Sequence, residues 1–205
     1  MRFRRALGLM AIATASCPIA AAPVEDAQAL IEHTRETQAT YSVFNWNWVT
    51  LPGEPVREEW SAEFHRGKLH RVETPVLRLV ADCGKHTGTY LDLSTGDRGS
   101  GPQVADAACG IHANARIEAA KITGRTTGRF GTATELEVRD PDYLRTYSVV
   151  ENGAIVGATI ADRSGNLLER LEAMALLDTA EDGIFSPESL SDSAVPEAYR
   201  QRPAQ

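Results

Sequence analysis

Two periodicities organise the chain. From Asp26 to Gln38, Ala27, Leu30, Ile31 and Thr34 recur at helical spacing among Glu and Arg, which predicts an amphipathic first helix. After it the period falls to two. Tyr41 to Thr50 alternates and sets Phe44, Trp46 and Trp48 on one face; the pattern resumes through Val56, Glu58, Trp60, Ala62 and Phe64 after the turn Pro52-Gly53-Glu54-Pro55. An Arg66-Gly67-Lys68 turn then leads to predicted strands at Leu69 to Thr74, Leu77 to Asp82 and Gly88 to Leu93. Ser94 to Pro102 reads as turn, and the Ala-rich Gln103 to Cys109 as a short central helix. Strands resume at Ile117 to Thr123, Ala133 to Arg139, Leu144 to Val150 and Ile155 to Ala161, the last two joined by Glu151-Asn152-Gly153-Ala154. Gly124, Gly128 and Gly131 read as hairpin turns. Leu167 to Leu177 suits helix by composition and strand by alternation, and its place in the meander favours strand. Asp178 to Gln205 is polar and Pro-bearing and reads as a loosely held tail, flexible from 191 to 205.

The predicted plan is α+β: a strongly curved antiparallel sheet forming an open half-barrel, covered by an N-terminal helix and a short central helix. Its 205 residues suit one domain, placed at 23–190, with no internal repeat. Residues 1–22 read as a secretory signal peptide: Arg2, Arg4 and Arg5 precede an apolar run from Ala6 to Ala15 that is too short to span a bilayer. Cleavage after Ala15 competes with cleavage after Ala21 or Ala22, which would also remove Cys17. Lipidation of Cys17 is disfavoured by Thr14, where such a signal wants a large aliphatic residue. The formal charge of -7 becomes about -10 without the signal, because three Arg and no acid are lost. Such a balance argues against a nucleic-acid partner, whose phosphates need a basic stripe. A soluble, exported, monomeric protein is expected, with no transmembrane segment in the mature chain.

Chemistry-bearing residues are few. Cys83-Gly84-Lys85-His86 and Cys109-Gly110-Ile111-His112 repeat a tetrapeptide whose two Cys and two His could bind zinc. Export favours a Cys83–Cys109 disulfide instead, and bridged thiols cannot hold metal; two free thiols are the remaining alternative. The five histidines, His33, His65, His70, His86 and His112, stand beside no catalytic motif, and most of them read as exposed strand or turn residues. No catalytic residue, metal or cofactor is therefore expected. The aromatic residues are the better clue: Phe44, Trp46, Trp48, Trp60 and Phe64 crowd neighbouring strands on one face. That face either packs as core beneath the first helix or lines an apolar cavity for acyl chains.

Phe64-His65-Arg66-Gly67-Lys68-Leu69-His70-Arg71-Val72-Glu73-Thr74-Pro75, followed by Leu79-Val80-Ala81-Asp82 and Thr89-Tyr90-Leu91-Asp92-Leu93, resembles the periplasmic outer-membrane lipoprotein carriers of the LolA type. Tyr143 to Val150, the Asn-Gly turn, Ile155 to Asp162 and Phe185-Ser186-Pro187 resemble that family's closing strands and F-x-x-P ending, so the resemblance covers about residues 24 to 190. It implies a half-barrel with helices over its concave side and a cavity for a lipid or lipoprotein acyl moiety. Arg66 falls at the arginine that fastens the helical lid, and Tyr90 joins the aromatic set as a ligand-contacting residue. Gly67 stands where the family has Pro, His70 near an expected aromatic, and Cys83 in place of a Gly. The resemblance implies a non-enzymatic periplasmic protein with lipid or acylated protein as cargo. A protein-interaction or envelope-stress sensing module on the same fold, with an envelope protein as partner, is the alternative. An exported metal-dependent enzyme built on His86 and His112 ranks last.

Overall fold

Residues 26–111 and 116–202 are described by the computed structural model; the stretch expected to be a signal peptide, Cys17 and His112 lie outside them. Helix α1 spans Ala27–Glu36, its first turn capped by Asp26, whose carboxylate accepts from the Gln28 amide at 2.9 Å. Its apolar stripe buries Leu30 and Ile31. Six strands follow: β1 (Thr40–Val49), β2 (Arg57–Arg66), β3 (Leu69–Glu73), β4 (Leu77–Asp82), β5 (Thr87–Asp92) and β6 (Arg98–Gly101). Helix α2 (Pro102–Ala108) starts on a proline and buries Ala105 and Ala108. The second series is β7 (Ala119–Gly128), β8 (Gly131–Arg139), β9 (Tyr143–Val150), β10 (Ile155–Asp162) and β11 (Leu167–Leu177), after which the chain makes short 3-10 turns at Asp182–Phe185, Pro187–Ser191 and Glu197–Tyr199.

The eleven strands of the described residues form one antiparallel sheet in the order β6-β5-β4-β3-β2-β1-β11-β10-β9-β8-β7, an open half-barrel whose edges are β6 and β7. Each series is a meander of hairpins, and pairing of β11 with β1 joins them. That pairing resolves the ambiguity of Leu167–Leu177: the segment is a strand because both of its edges are hydrogen-bonded, to β1 and to β10. β6 lies where turn was expected, its Gly and Ser residues paired with β5. Gly124 and Gly128 sit inside β7 rather than in turns, with a register shift at Ile122/Gly124 absorbing the irregularity.

The two faces of the sheet are covered by different parts of the chain. Alternation places Tyr41 and Val43 on one face and Phe44 on the other. Across the registers, Tyr41 stands opposite His65, His65 opposite His70, and His70 opposite Ala81. Ala81 and Leu79 pack against Ala105 and Ala108 of α2, so both belong to the helical face. Leu30 and Ile31 of α1 meet Leu136, Val138 and Val149 of the other half. The approach of α2 is close, because a Cβ on Gly88 would stand 2.8 Å from the Ala105 amide nitrogen. At the tight β9–β10 turn, Gly153 has φ +88°, where a side chain would be strained.

The opposite face, which carries Phe44, Ala62 and Phe64, is covered by the C-terminal segment. Val195 is buried in that cluster, with Ile184, Phe185 and Tyr199 partly so, and Leu190 closes a smaller one with Val80 and Leu91. The segment expected to be a loose tail is thus docked as far as the described residues reach, because it carries the apolar side chains that complete this face. Cys83 and Cys109 are joined, with Cα atoms 5.7 Å apart, and tie the end of α2 to the β4–β5 turn. The bridge closes a separation of 26 residues. A Cys83→Ser, Cys109→Ser protein is expected to lose on the order of 3 kcal/mol in urea unfolding, the entropy of a loop this long.

Candidate functional site

Two polar clusters and one aromatic cluster meet on β1 to β3. On the C-terminal-segment face, Arg71 and Glu73 are both buried and paired, Arg71 Nε to Glu73 Oε1 at 2.6 Å. The remaining Arg71 donors leave the sheet. Nη1 donates to the Ile184 carbonyl at 2.7 Å and the Ser189 hydroxyl at 2.8 Å, and Nη2 to the Asp192 carbonyl at 2.5 Å. Glu73 accepts from the Ser193 hydroxyl at 2.6 Å and the Ala194 amide at 2.8 Å. Arg78 adds bonds to the Leu190 and Ser191 carbonyls, Arg98 to the Pro187 carbonyl and the Ser191 hydroxyl. Arg66 donates to the Ala180 carbonyl at 3.0 Å and pairs with Asp182. Both partners lie on the C-terminal segment, where the resemblance would have Arg66 fasten a helix.

The predicted aromatic set divides. Phe44 and Phe64 form one cluster with partly buried Trp60, and Tyr199 stacks on Phe44 with centroids 4.2 Å apart. Trp46 is buried on the same strand face, and its indole N–H donates to Glu58 at 2.9 Å. Trp48, half-buried, lies beneath the Arg170 guanidinium. Tyr90 is not with them: it packs on the helical face with Leu79, against α2. Nor does the aromatic face lie under the first helix, because α1 covers the other side of the sheet. An open cleft of about 550 Å³ lies elsewhere, lined by Phe130, Ala133, Val150 and Val156 together with Arg129 and Glu172.

The second polar cluster occupies the helical face. The hairpin turn at Gly67 and Lys68 sets His65 directly opposite His70, and both rings are fully buried rather than exposed as expected. His65 lies between Tyr41, stacked at 4.8 Å, and the edge of His70 at 4.1 Å. Its Nε2 is 3.0 Å from the Thr37 carbonyl just beyond α1. Glu63 Oε1 accepts from the Tyr41 hydroxyl at 2.9 Å and stands 3.6 Å from His70 Nδ1. Burial works against charge on Glu63, yet the neighbouring His70 ring, the field of His65 and the Tyr41 hydroxyl hold its carboxyl below the usual range. Burial and then the field of His70 push His65 down to about 4, against the opposing Thr37 carbonyl and Glu63. Burial beside Glu63 pushes the Tyr41 hydroxyl well up. Among groups of described residues, Glu63, His65 and His70 are placed to hold a metal ion. The tetrapeptide repeat is not so placed, since its cysteines are bridged and His86 pairs with Asp106 at 2.6 Å.

Neither polar cluster stood out in the sequence, though the alternation carried a signal. Arg71 and Glu73 share one strand face with Phe64 and Ala62, as a short hairpin about Gly67-Lys68 requires. The same hairpin pairs His65 with His70.

No family model matches the chain, and no curated protein matches it by sequence. Solved structures do. An uncharacterized conserved protein from Thermus thermophilus is similar over 85% of this chain and 96% of its own, at 12% identity and a TM-score of 0.55. A chain of the Pseudomonas aeruginosa MucA/MucB complex is similar over 78% of this chain and 58% of its own, at 15% identity and a TM-score of 0.51. A LolA superfamily protein from Nitrosomonas europaea is more distantly similar, at 12% identity over 79% of this chain and 98% of its own, with a TM-score of 0.39.

Removing one member of a buried ion pair strands the other charge, whereas replacing both need not destabilise. Glu73→Gln is therefore expected to cost about 3 kcal/mol in urea unfolding and to speed proteolysis within 178–202. A combined Arg71→Met, Glu73→Leu protein should recover much of the stability but not the protection of the C-terminal segment. The open half-barrel expected from the sequence is the fold the chain adopts, and it is similar in fold to the Thermus protein and to a chain of the MucA/MucB complex.

Proposed function

We propose that the chain is an exported, non-enzymatic periplasmic binding protein that takes a lipid or protein-borne acyl chain on the aromatic face of the half-barrel, beneath its C-terminal segment. The observation that carries this reading is the way that face is closed. Phe44, Phe64 and Trp60 are covered by a segment of short 3-10 turns, which is held through its backbone carbonyls by arginines on the sheet. A cover of this kind can lift without unravelling the sheet. What it uncovers is a broad apolar surface rimmed by guanidinium groups, chemistry that suits an amphiphile with an anionic head. The signal-like composition of residues 1–22 and the Cys83–Cys109 bridge support an oxidising compartment. Among the described residues, no helix is long and apolar enough to cross a membrane.

A second reading, docking of an envelope protein, is favoured by the outer rim. Among the described residues, the exposed large apolar side chains are Leu51, Val56, Val76, Leu93, Leu167 and Leu177. All but Leu177 lie at turns on the same end of the sheet, where the Leu93 amide bonds the Val76 carbonyl and the Thr50 amide the Leu168 carbonyl. The MucA/MucB chain, similar in fold, belongs to a protein–protein complex.

The three tryptophans of the chain, Trp46, Trp48 and Trp60, all lie on the β1–β2 face where the acyl chain is placed, so intrinsic emission reports on it directly. Titration with a lysophospholipid is expected to blue-shift that emission and saturate at one ligand per chain. Tyr199→Ala, which loosens the cover, should tighten binding about threefold to tenfold, the factor expected when roughly 1 kcal/mol of competing contact is removed. Emission unmoved by acyl ligand, with no lipid extracted from purified protein, would sink the reading. Val76→Glu and Leu93→Glu should leave the titration unchanged and abolish partner capture only if the rim is the binding surface.

A further inference from the structure

We infer that Glu63, His65 and His70 form a buried binding site for a first-row divalent metal ion, best matched by zinc, which pins the β1–β2–β3 corner to the end of α1. The inference rests on this cluster alone and is independent of the acyl-binding reading, because the cluster lies on the opposite face of the sheet.

The geometry begins with His65. A carbonyl can only accept, so the 3.0 Å contact with Thr37 makes Nε2 the protonated nitrogen and leaves a lone pair on Nδ1. That is the arrangement of metal-bound histidines, whose second nitrogen donates to a carbonyl or carboxylate and fixes the ring. Nδ1 of His65 and Nε2 of His70 are buried without a hydrogen-bond partner among the described residues, and His70 Nδ1 has only the long 3.6 Å approach to Glu63 Oε1. An unpartnered buried polar group costs on the order of 1–3 kcal/mol, so two on adjacent buried rings, beside a long carboxylate contact, point to a ligand between them. The two rings and Glu63 each offer a donor atom, and the three donors lie within 4.8 Å of one another. Donors bound at about 2.0–2.1 Å around a tetrahedral ion stand roughly 3.4 Å apart, so small side-chain rotations close the site.

Donor type selects the ion. Two imidazoles and one carboxylate suit zinc and its neighbours rather than calcium or magnesium, which take oxygen ligands. The site uses no thiol, so it coexists with the Cys83–Cys109 bridge. The Tyr41 hydroxyl, 2.9 Å from Glu63 Oε1, donates to the carboxylate and orients it toward the rings. Both histidines are fully buried while the Glu63 side chain is 20% exposed, so an ion enters along the carboxylate. With His65 tied to Thr37, and three ligands supplied by β2 and β3 beneath α1, the ion braces this corner, and its fourth position falls to a water on the Glu63 side.

The test uses the full chain stripped with EDTA and dialysed, then titrated with Co(II) as a spectroscopic probe and with Zn(II) in competition. One Co(II) per chain should bind with visible absorption bands of a four-coordinate site, zinc should displace it, and zinc should raise the melting temperature. Glu63→Gln, which keeps the size of the side chain, and His70→Gln should each weaken zinc binding at least 100-fold. Histidine-ring nitrogen NMR of the unmutated protein provides a readout that no folding defect can obscure. Added zinc should shift the nitrogens of His65 and His70 and leave those of His33 and His86 in place. Absence of stoichiometric binding overturns the inference. So does binding that shifts only His33, His86 or His112, or that survives Glu63→Gln and His70→Gln unchanged.

Discussion

Burying Arg71 and Glu73 at the centre of one sheet face is unfavourable until every donor and acceptor of the pair is satisfied. The Arg71 Nε–Glu73 bond uses only part of that capacity. The remaining groups reach the carbonyls of Ile184 and Asp192, the hydroxyls of Ser189 and Ser193, and the amide of Ala194. A chain segment with little regular structure is thereby given one path across the sheet. Val195 and Tyr199 then come to rest on Phe44, Phe64 and Trp60. The ion pair demands partners, the segment supplies them, and the apolar contacts follow.

The consequence is a sheet with two different coverings. Over β1 to β5, one face meets the α1 end and α2, with the disulfide tying α2 to the β4–β5 turn. The other meets the C-terminal segment. The helical covering is braced by packing, covalent bonding and the Glu63–His65–His70 cluster. The second is braced by charge-assisted hydrogen bonds to carbonyls, which water can replace at modest net cost. On the proposed acyl-binding reading, the C-terminal segment is the part that yields, and the aromatic side chains beneath it are the part that receives the ligand.

How much of this was legible follows from the range of each interaction. Alternation in Tyr41 to Thr50 and the short turns showed the hairpins, because strand periodicity and turn chemistry are local properties. The same alternation showed that Phe44, Trp46, Trp48, Trp60 and Phe64 share a surface. It did not show which cover that surface receives, since α1 and the C-terminal segment both offer apolar side chains. Family resemblance alone groups Tyr90 with the tryptophans. Its strand position, opposite Leu79, puts it on the helical face instead. The histidines read as exposed because nothing beside them in the chain announces burial.

By itself the sequence determined the strand-by-strand rhythm, the antiparallel meander, the amphipathic first helix and the candidate disulfide, all of them dictated by residues near one another or by the chemistry of two cysteines. Only the tertiary structure decided the closing of β11 on β1, the burial of His65 and His70 beneath the end of α1, and the docking of residues 178–202 onto Arg71. Each of those depends on groups brought together across a long stretch of chain or across two faces of a sheet. There, satisfaction of buried charge and shape outweighs local preference. The segment read as a polar tail shows why: its serines and bare carbonyls, which favour solvent in isolation, are the partners that a buried guanidinium and carboxylate require.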